Sequence, residues 1–410
     1  RKPRELNWVV GFLLFVMGMA AGFTGYSLPA DLLSENGLRI IDGMIKGIPL
    51  IGPAVSSGFF GGEFPGTEVV ARLYSLHIMI VPALIIVLIG VHLMMVVIHK
   101  HTHYSGPGRT DDNVVGYPLA PVYVAKAGGF FFLVFGVIAA ISATFTINPI
   151  WNYGPYDPSP VSAGTQPDWY IGWLDGALRL APSGWDISVF GYVIPMGVMV
   201  PLVVSLVFLA LVAAYPFIEN WVTKDKREHH VLDRPRNNPT RTAIGAAGVT
   251  FYGVLWAGAS TDLIATNFQM SLNQVLVAMQ ILLIIGPVIA YWVTKRACLS
   301  LQRKDREMVL HGRETGRIVR LPHGEFIEVH EPVDEYELWK LVDYKNYEPI
   351  LARPDANGKI SLGNRLRSAV SRLYFEDRIA PVSKAEYELA HADHAPEPVA
   401  AKPKKKAIKA

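Results

Sequence analysis

A long apolar run, Leu73 to Ile98, carries two histidines, His77 and His92. Histidine is rare inside a membrane-spanning helix, and where it occurs it marks function by default. Fifteen residues of helix (77 to 92) rise roughly 22 Å and leave the two rings pointing broadly to one side at different depths. One ring therefore falls near each face of an apolar layer about 30 Å thick. Two flat metal macrocycles stacked one above the other need ligands arranged in this way, and a neutral imidazole nitrogen is a standard axial ligand for haem iron.

The rest of the chain agrees with a membrane setting. It has 410 residues, 51% of them hydrophobic, and a mean hydropathy of +0.27, with the apolar residues gathered into long blocks. Six blocks are long enough to span: Trp8–Leu28, Leu73–Ile98, Val122–Ile147, Tyr192–Phe217, Ala243–Ile264 and Val275–Lys295. The expected fold is an all-α polytopic membrane protein, a six-helix bundle with a mixed C-terminal extension. Lys and Arg gather at Arg1–Arg4, at Lys100–Arg109, at Lys224–Arg241 and after Lys295. All four segments fall on one side when the spans alternate, and that side is cytoplasmic by the positive-inside rule. The opposite loops are acidic, with Asp31, Glu35, Asp42, Glu63 and Glu68, then Asp157, Asp168, Asp175 and Asp186, then Asp262. Both termini of this chain are expected in the cytoplasm. The single cysteine, Cys298, excludes an internal disulfide and any site built on several thiolates. No feature points to nucleic acid.

Four units are expected: residues 1–147, 148–300, a cytoplasmic extension over 301–394 with strands near Gly316–Leu321 and Glu325–His330, and a tail over 395–410. The tail is Ala/Pro/Lys-rich and reads as disordered. Its lysines could touch anionic lipid, although solvation is the simpler reading.

Further residues carry possible chemistry. Gly11 and Gly25 in the first span lie fourteen residues apart (11 to 25), on nearly the same face and roughly 21 Å apart in height. That matches the histidine pair. Glycine lets a flat macrocycle approach a helix, but small residues also pack helix against helix. Asp168 sits among Pro167, Trp169, Tyr170 and Trp173. A carboxylate in apolar surroundings has a raised pKa and can accept a proton. An interfacial aromatic belt with one solvated acid fits the same residues. Residues from Gly37 to Gly62 read as one or two short interfacial helices around Ile48-Pro49-Leu50-Ile51-Gly52. Arg72 could pair with a haem propionate or simply anchor the surface. His99, His101 and His103, like His229-His230, read as solvated loop residues without a role.

Taken together, these residues resemble cytochrome b, the membrane subunit of quinol–cytochrome c reductases. Gly25-Tyr26-Ser27-Leu28-Pro29 resembles the end of that family's third helix. Ile48–Gly52 resembles the interfacial helix capping its quinol site. Arg72–His77 with His92 resembles the fourth helix, with the longer histidine spacing of the cytochrome b6 branch. Pro167-Asp168-Trp169-Tyr170 is a variant of its Pro-Glu-Trp-Tyr signature. Leu310–Gly316 looks like the actinobacterial, menaquinol-oxidising branch. The resemblance covers roughly Arg1 to Arg306 and runs from the family's third helix to its eighth, so a fragment lacking the first two helices is the expectation.

The resemblance implies two b-type haems, an outer low-potential one on His77 and an inner high-potential one on His92, packed by Gly11, Gly25 and Arg72. It implies an outer menaquinol site with Asp168 and Tyr170 as catalytic residues and Tyr26, Ile48, Pro49, Pro167 and Trp169 as binding residues. It implies an inner quinone site at Lys126, although Ala127 stands where relatives often carry an acid. Electrons would divide between a Rieske iron–sulfur subunit and the haem pair, coupled to proton translocation across a bacterial plasma membrane. Implied partners are that Rieske subunit, a cytochrome c subunit, a second copy of the complex, membrane lipid and a terminal oxidase in a supercomplex. Two competing readings need no haem: a transporter with a histidine proton relay, which would be colourless, and a scaffold subunit that has lost its chemistry.

Overall fold

The computed structural model describes residues 2–113, 116, 118–145, 150–159, 165–182, 184–342, 348–354, 358–375 and 378–392. Asn148, Pro149 and the whole 395–410 tail lie outside the described residues. Among the described residues, five helices are long and apolar enough to cross a membrane: α1 (Glu5–Tyr26), α4 (Val69–His99), α5 (Leu119–Thr144), α7 (Met196–Thr223) and α10 (Leu272–His311). Between α1 and α4 lie α2 (Leu32–Lys46) and α3 (Gly52–Phe60). Between α5 and α7 lie α6 (Gly172–Arg179) and a hairpin of β1 (Asp186–Val189) and β2 (Tyr192–Pro195).

The expected span Ala243–Ile264 is bent. It consists of α8 (Pro239–Gly258) and α9 (Thr261–Asn267), which meet at 69°. The reason is packing by α6. A Cβ at Gly176 would stand 1.6 Å from the Leu255 carbonyl oxygen, and one at Gly258 2.8 Å from Leu180 Cδ1. The two backbones touch there, and α8 ends where that contact ends. The expected fourth span, drawn from Tyr192, starts at Met196, because residues 192–195 pair with 186–189 instead. Phe190 and Gly191 both have positive φ (51° and 81°) in that turn, as a twisted two-residue hairpin demands.

Asp31 caps α2. Its carboxylate accepts from Ser34 N at 2.8 Å, while Asp31 N donates to Ser34 Oγ at 3.1 Å, a reciprocal capping box. Ile48–Ile51 form the turn between α2 and α3 rather than a helix of their own. Leu38, Phe60, Val69 and Leu73 bury together beneath this cap. A second core joins α6 to α8 through Trp173, Ala177, Leu180 and Leu255.

On the far side, α10 continues unbroken through residue 300 to His311, and β3 (Arg313–Arg320) pairs with β4 (Phe326–Glu331). Then come α11 (Glu335–Val342), α12 (Leu362–Phe375) and α13 (Lys384–Ala392). This extension is strapped across the ends of the spans. Tyr374 donates to the buried Glu219 of α7 at 2.8 Å. Ile379 N donates to Gln302 Oε1 at 3.1 Å, and Arg306 to Glu386 at 2.6 Å.

His229 and His230, expected in solvent, are 6% and 2% exposed. Arg4 draws them in, donating to the His229 carbonyl at 2.6 Å and to His230 Nδ1 at 2.9 Å. An arginine only donates, so His230 Nδ1 accepts there, and the ring proton sits on Nε2, facing Glu228 at 3.0 Å.

Candidate functional site

The pairing of α1 with α4 brings each histidine to a glycine. A Cβ at Gly25 would lie 2.5 Å from His77 Cε1, and one at Gly11 3.5 Å from His92 Cε1. His77 sits in a π-helical turn, Leu76–Ile80, inside α4. Such turns recur at functional sites because they re-aim side chains within a helix. Thr24 Oγ1 donates to the Ala20 carbonyl at 2.7 Å and stands 3.1 Å from His77 Nδ1. A hydroxyl has one hydrogen to give, so Nδ1 is the donor in the second contact. That tautomer leaves the Nε2 lone pair of His77 for a metal, with the other ring nitrogen held as metal-bound histidines usually are. His92 Nδ1 is buried with no hydrogen-bond partner among the described residues, a cost that an ordered partner or ligand would relieve. Both rings therefore fit axial ligation of haem.

Above this pair lies a cavity of about 340 Å³ walled by α2, α6 and the 165–168 segment. Tyr26, Pro167 and Asp168 line it, with Ile40 and Met44 of α2 as apolar walls. Tyr170 donates its hydroxyl to Asp168 Oδ2 at 2.5 Å. Burial raises the Asp168 carboxyl above the usual carboxylate range, and the bond from Tyr170 pulls it partly back. Burial also raises the Tyr170 phenol, and the Asp168 carboxylate raises it further, so Tyr170 stays protonated and donating. The Tyr170 ring lies flat against Gly22, where a Cβ would come within 2.8 Å of it.

Asp168 is thus a half-desolvated base with a fixed donor, facing a mostly apolar cavity. A polar network adjoins it, of which the sequence offered only Asp175 and Asp262, as outer-loop charge. Arg179 pairs with Asp175 at 2.6 Å and Asp262 at 3.1 Å, and Gln166 donates to Asp262 at 2.8 Å. The i,i+4 spacing of Asp175 and Arg179 on an amphipathic helix was the available signal. Nothing in the sequence announces Asp262 as their partner.

The remaining predicted residues lie as follows. Ile48 and Pro49 occupy the α2–α3 turn and are not among the described residues that line the cavity. Trp169 is 75% exposed, and its carbonyl accepts from Trp256 Nε1 at 2.8 Å. Arg72 donates to the carbonyls of Gly58 and Phe59, closing the end of α3. Lys126 is exposed near the start of α5, just after its π-helical first residues Leu119–Tyr123.

A helical membrane bundle with paired imidazoles on one span and a capped cavity on its acidic side defines a polytopic electron-transfer subunit. The family described as cytochrome b(N-terminal)/b6/petB matches residues 1–155. The cytochrome bc1 complex cytochrome b subunit of Streptomyces coelicolor is 53% identical over 401 residues, covering 96% of this chain and 73% of the relative. The subunit of the same name from Mycobacterium leprae is 47% identical over 81% of this chain and 60% of its own length. The chain belongs to the cytochrome b family, among the actinobacterial cytochrome bc1 complex cytochrome b subunits. A solved chain of a hyperthermophilic respiratory Complex III aligns with TM-score 0.47 and 21% identity over 71% of this chain and 72% of that one, too distant to add to the assignment. Membership carries b-type haem as cofactor and other subunits of a bc1-type complex as partners.

Proposed function

We propose that this chain oxidises menaquinol at the outer cavity and supports quinone reduction on the inner side, within a quinol–cytochrome c oxidoreductase. The observation that carries the reading is the double match on α1 and α4: Gly25 with His77, and Gly11 with His92, at two depths of the same helix pair. His77 and His92 would hold two b-type haems, which supply one-electron transfer between the two sides. The Nδ1–H contact to Thr24 orients His77 and keeps its Nε2 free. Gly25 gives the His77 ring the clearance it requires, and Gly11 stands in ordinary contact distance of the His92 ring.

At the outer cavity, the Asp168 carboxylate accepts a quinol hydroxyl proton. Its raised pKa makes it a stronger base than a solvated aspartate, and proton transfer follows geometry first. Tyr170 fixes the carboxylate through the 2.5 Å bond, and the apolar wall of α2 excludes water from the ring. The first electron leaves to a Rieske iron–sulfur subunit, since one cysteine cannot build a cluster here. Lys126 is the candidate inner quinone contact. The assembly we infer includes a cytochrome c subunit, a second copy of the complex and a terminal oxidase, in the plasma membrane with both termini of this chain cytoplasmic.

A dithionite-reduced minus oxidised spectrum of the native complex tests the reading. Two b-type signals are expected, and His77→Ala should remove the outer one first. An unchanged spectrum in that variant would refute the assignment. Asp168→Asn should keep both haem signals and lose quinol turnover, and full turnover would sink the proton-acceptor role.

A further inference from the structure

The cytoplasmic end of α10 holds a second cavity of about 340 Å³, far from the haem and quinol residues. We propose that it binds a phosphate-bearing solute. Four cationic side chains from three separate parts of the fold line it: Arg234 and Arg236 from the turn before α8, Lys304 from α10, and Lys340 from α11. Two carboxylates share the lining, Asp305 and Glu337. Glu337 is taken by an ion pair with Arg313. Asp305, 2% exposed, holds Arg234 at 3.0 Å and Arg236 at 2.9 Å, one carboxylate between two guanidinium groups. Lys304 has no carboxylate partner among the described residues. Positive charge is thus left over inside a concavity.

The chemistry selects the ligand. Asp305 is buried and engages both guanidinium groups. Each guanidinium has five N–H groups, and the contacts to Asp305 and the Lys340 carbonyl leave several unused. Planar guanidinium forks beside ammonium point charges suit phosphate oxygens. The volume suits a small ligand such as a diphosphate. Position decides between a lipid headgroup and a dissolved phosphate. The charged run of α10 starts at Lys295, and Lys304 stands nine residues further on, about 13 Å along the helix. A headgroup layer is only about 5–8 Å thick on each side. The cavity therefore sits beyond the headgroups, and its ligand would tie α11, and with it the extension, to α10.

The probe is inorganic pyrophosphate, titrated calorimetrically into the detergent-purified complex. Phospholipid phosphorus is measured in the same preparation. Lys304→Gln alone and Lys304→Gln with Lys340→Gln are compared with the unaltered complex, with haem spectra as the folding control. Saturable pyrophosphate binding that weakens at least tenfold in the double variant, and falls with rising salt, supports the proposal. Loss of bound phospholipid phosphorus in the variants without pyrophosphate binding would overturn the solute and place a lipid headgroup in the cavity instead. Pyrophosphate binding that is absent or equal in all three forms, with unchanged phospholipid, overturns it.

Discussion

The two glycine–histidine pairs look equivalent in sequence but differ in clearance, and that difference makes a sharp test. A Cβ at Gly25 would fall 2.5 Å from His77 Cε1 and 3.0 Å from both ring nitrogens, whereas at Gly11 the nearest His92 atom is 3.5 Å away. The second distance is ordinary contact. The first requires the His77 ring to retreat by about 1 Å (3.5 − 2.5) to reach the same clearance. The ring cannot retreat freely, because Thr24 holds its Nδ1 at 3.1 Å. Overpacking of this kind costs about 1–3 kcal/mol, and a ligand nitrogen displaced by that much leaves the iron's bonding distance. Gly25→Ala should therefore lower outer-haem occupancy severalfold. Gly11→Ala should leave the inner haem near full occupancy. The assay is haem per polypeptide together with the reduced minus oxidised spectrum of each purified variant complex. Equal loss in the two variants, or greater loss at Gly11, would refute the clearance argument.

Other outcomes follow from the same geometry. Asp168 accepts a proton only when ionised, and burial raises its pKa, so quinol oxidation should fall as pH drops through that raised value. Asp168→Asn should lower turnover about 10²–10⁴-fold and flatten the acid limb of a pH–rate profile measured with haem content held constant. Glu35 is 3% exposed, with one carboxylate oxygen lacking a partner among the described residues, and burial, with Asp31 nearby, raises it to about 7. A raised folded-state pKa means the folded state binds the proton more tightly, so its stability is greatest at low pH and declines up to about pH 7. Glu35→Gln removes that decline and should stabilise the complex by about 1–2 kcal/mol at pH 8, with little change at pH 5, read by thermal melting. Tyr374→Phe removes the donor to buried Glu219, which keeps Arg241 at 3.4 Å. A loss of about 1–2 kcal/mol should show as faster proteolysis of the extension while the haem spectra stay unchanged.

Several features were legible in the residues because each depends on local pattern alone. Apolar runs locate the spans, since a bilayer demands a minimum length whatever the neighbours are. The positions of His77, His92, Gly11 and Gly25 follow from helical rise. Strand pairing over 313–331 follows from alternation around a turn. The Pro167–Tyr170 segment placed an acid beside aromatic groups and left open whether it is solvated; the structure half-buries it and makes Tyr170 its donor.

Other features lay outside any such reading because they depend on contacts between distant segments. The 69° bend between α8 and α9 is decided by Gly176 meeting Leu255, residues in different helices. The cavity wall exists only because α2 and α6 face each other across the 165–168 segment. The burial of His229 and His230 rests on Arg4, more than two hundred positions away. The strap of the extension rests on Glu219 with Tyr374 and Gln302 with Ile379. Sequence by itself determined that this chain carries apolar runs of membrane-spanning length and that its two imidazoles stand about four helical turns apart on one of them, because periodicity and spacing are one-dimensional quantities, while its motifs carry the resemblance to the family. Tertiary structure alone decided which nitrogen of His77 is free, which carboxylate faces the cavity and where uncompensated charge collects, because tautomer, desolvation and charge balance depend on what the fold places within a few ångströms.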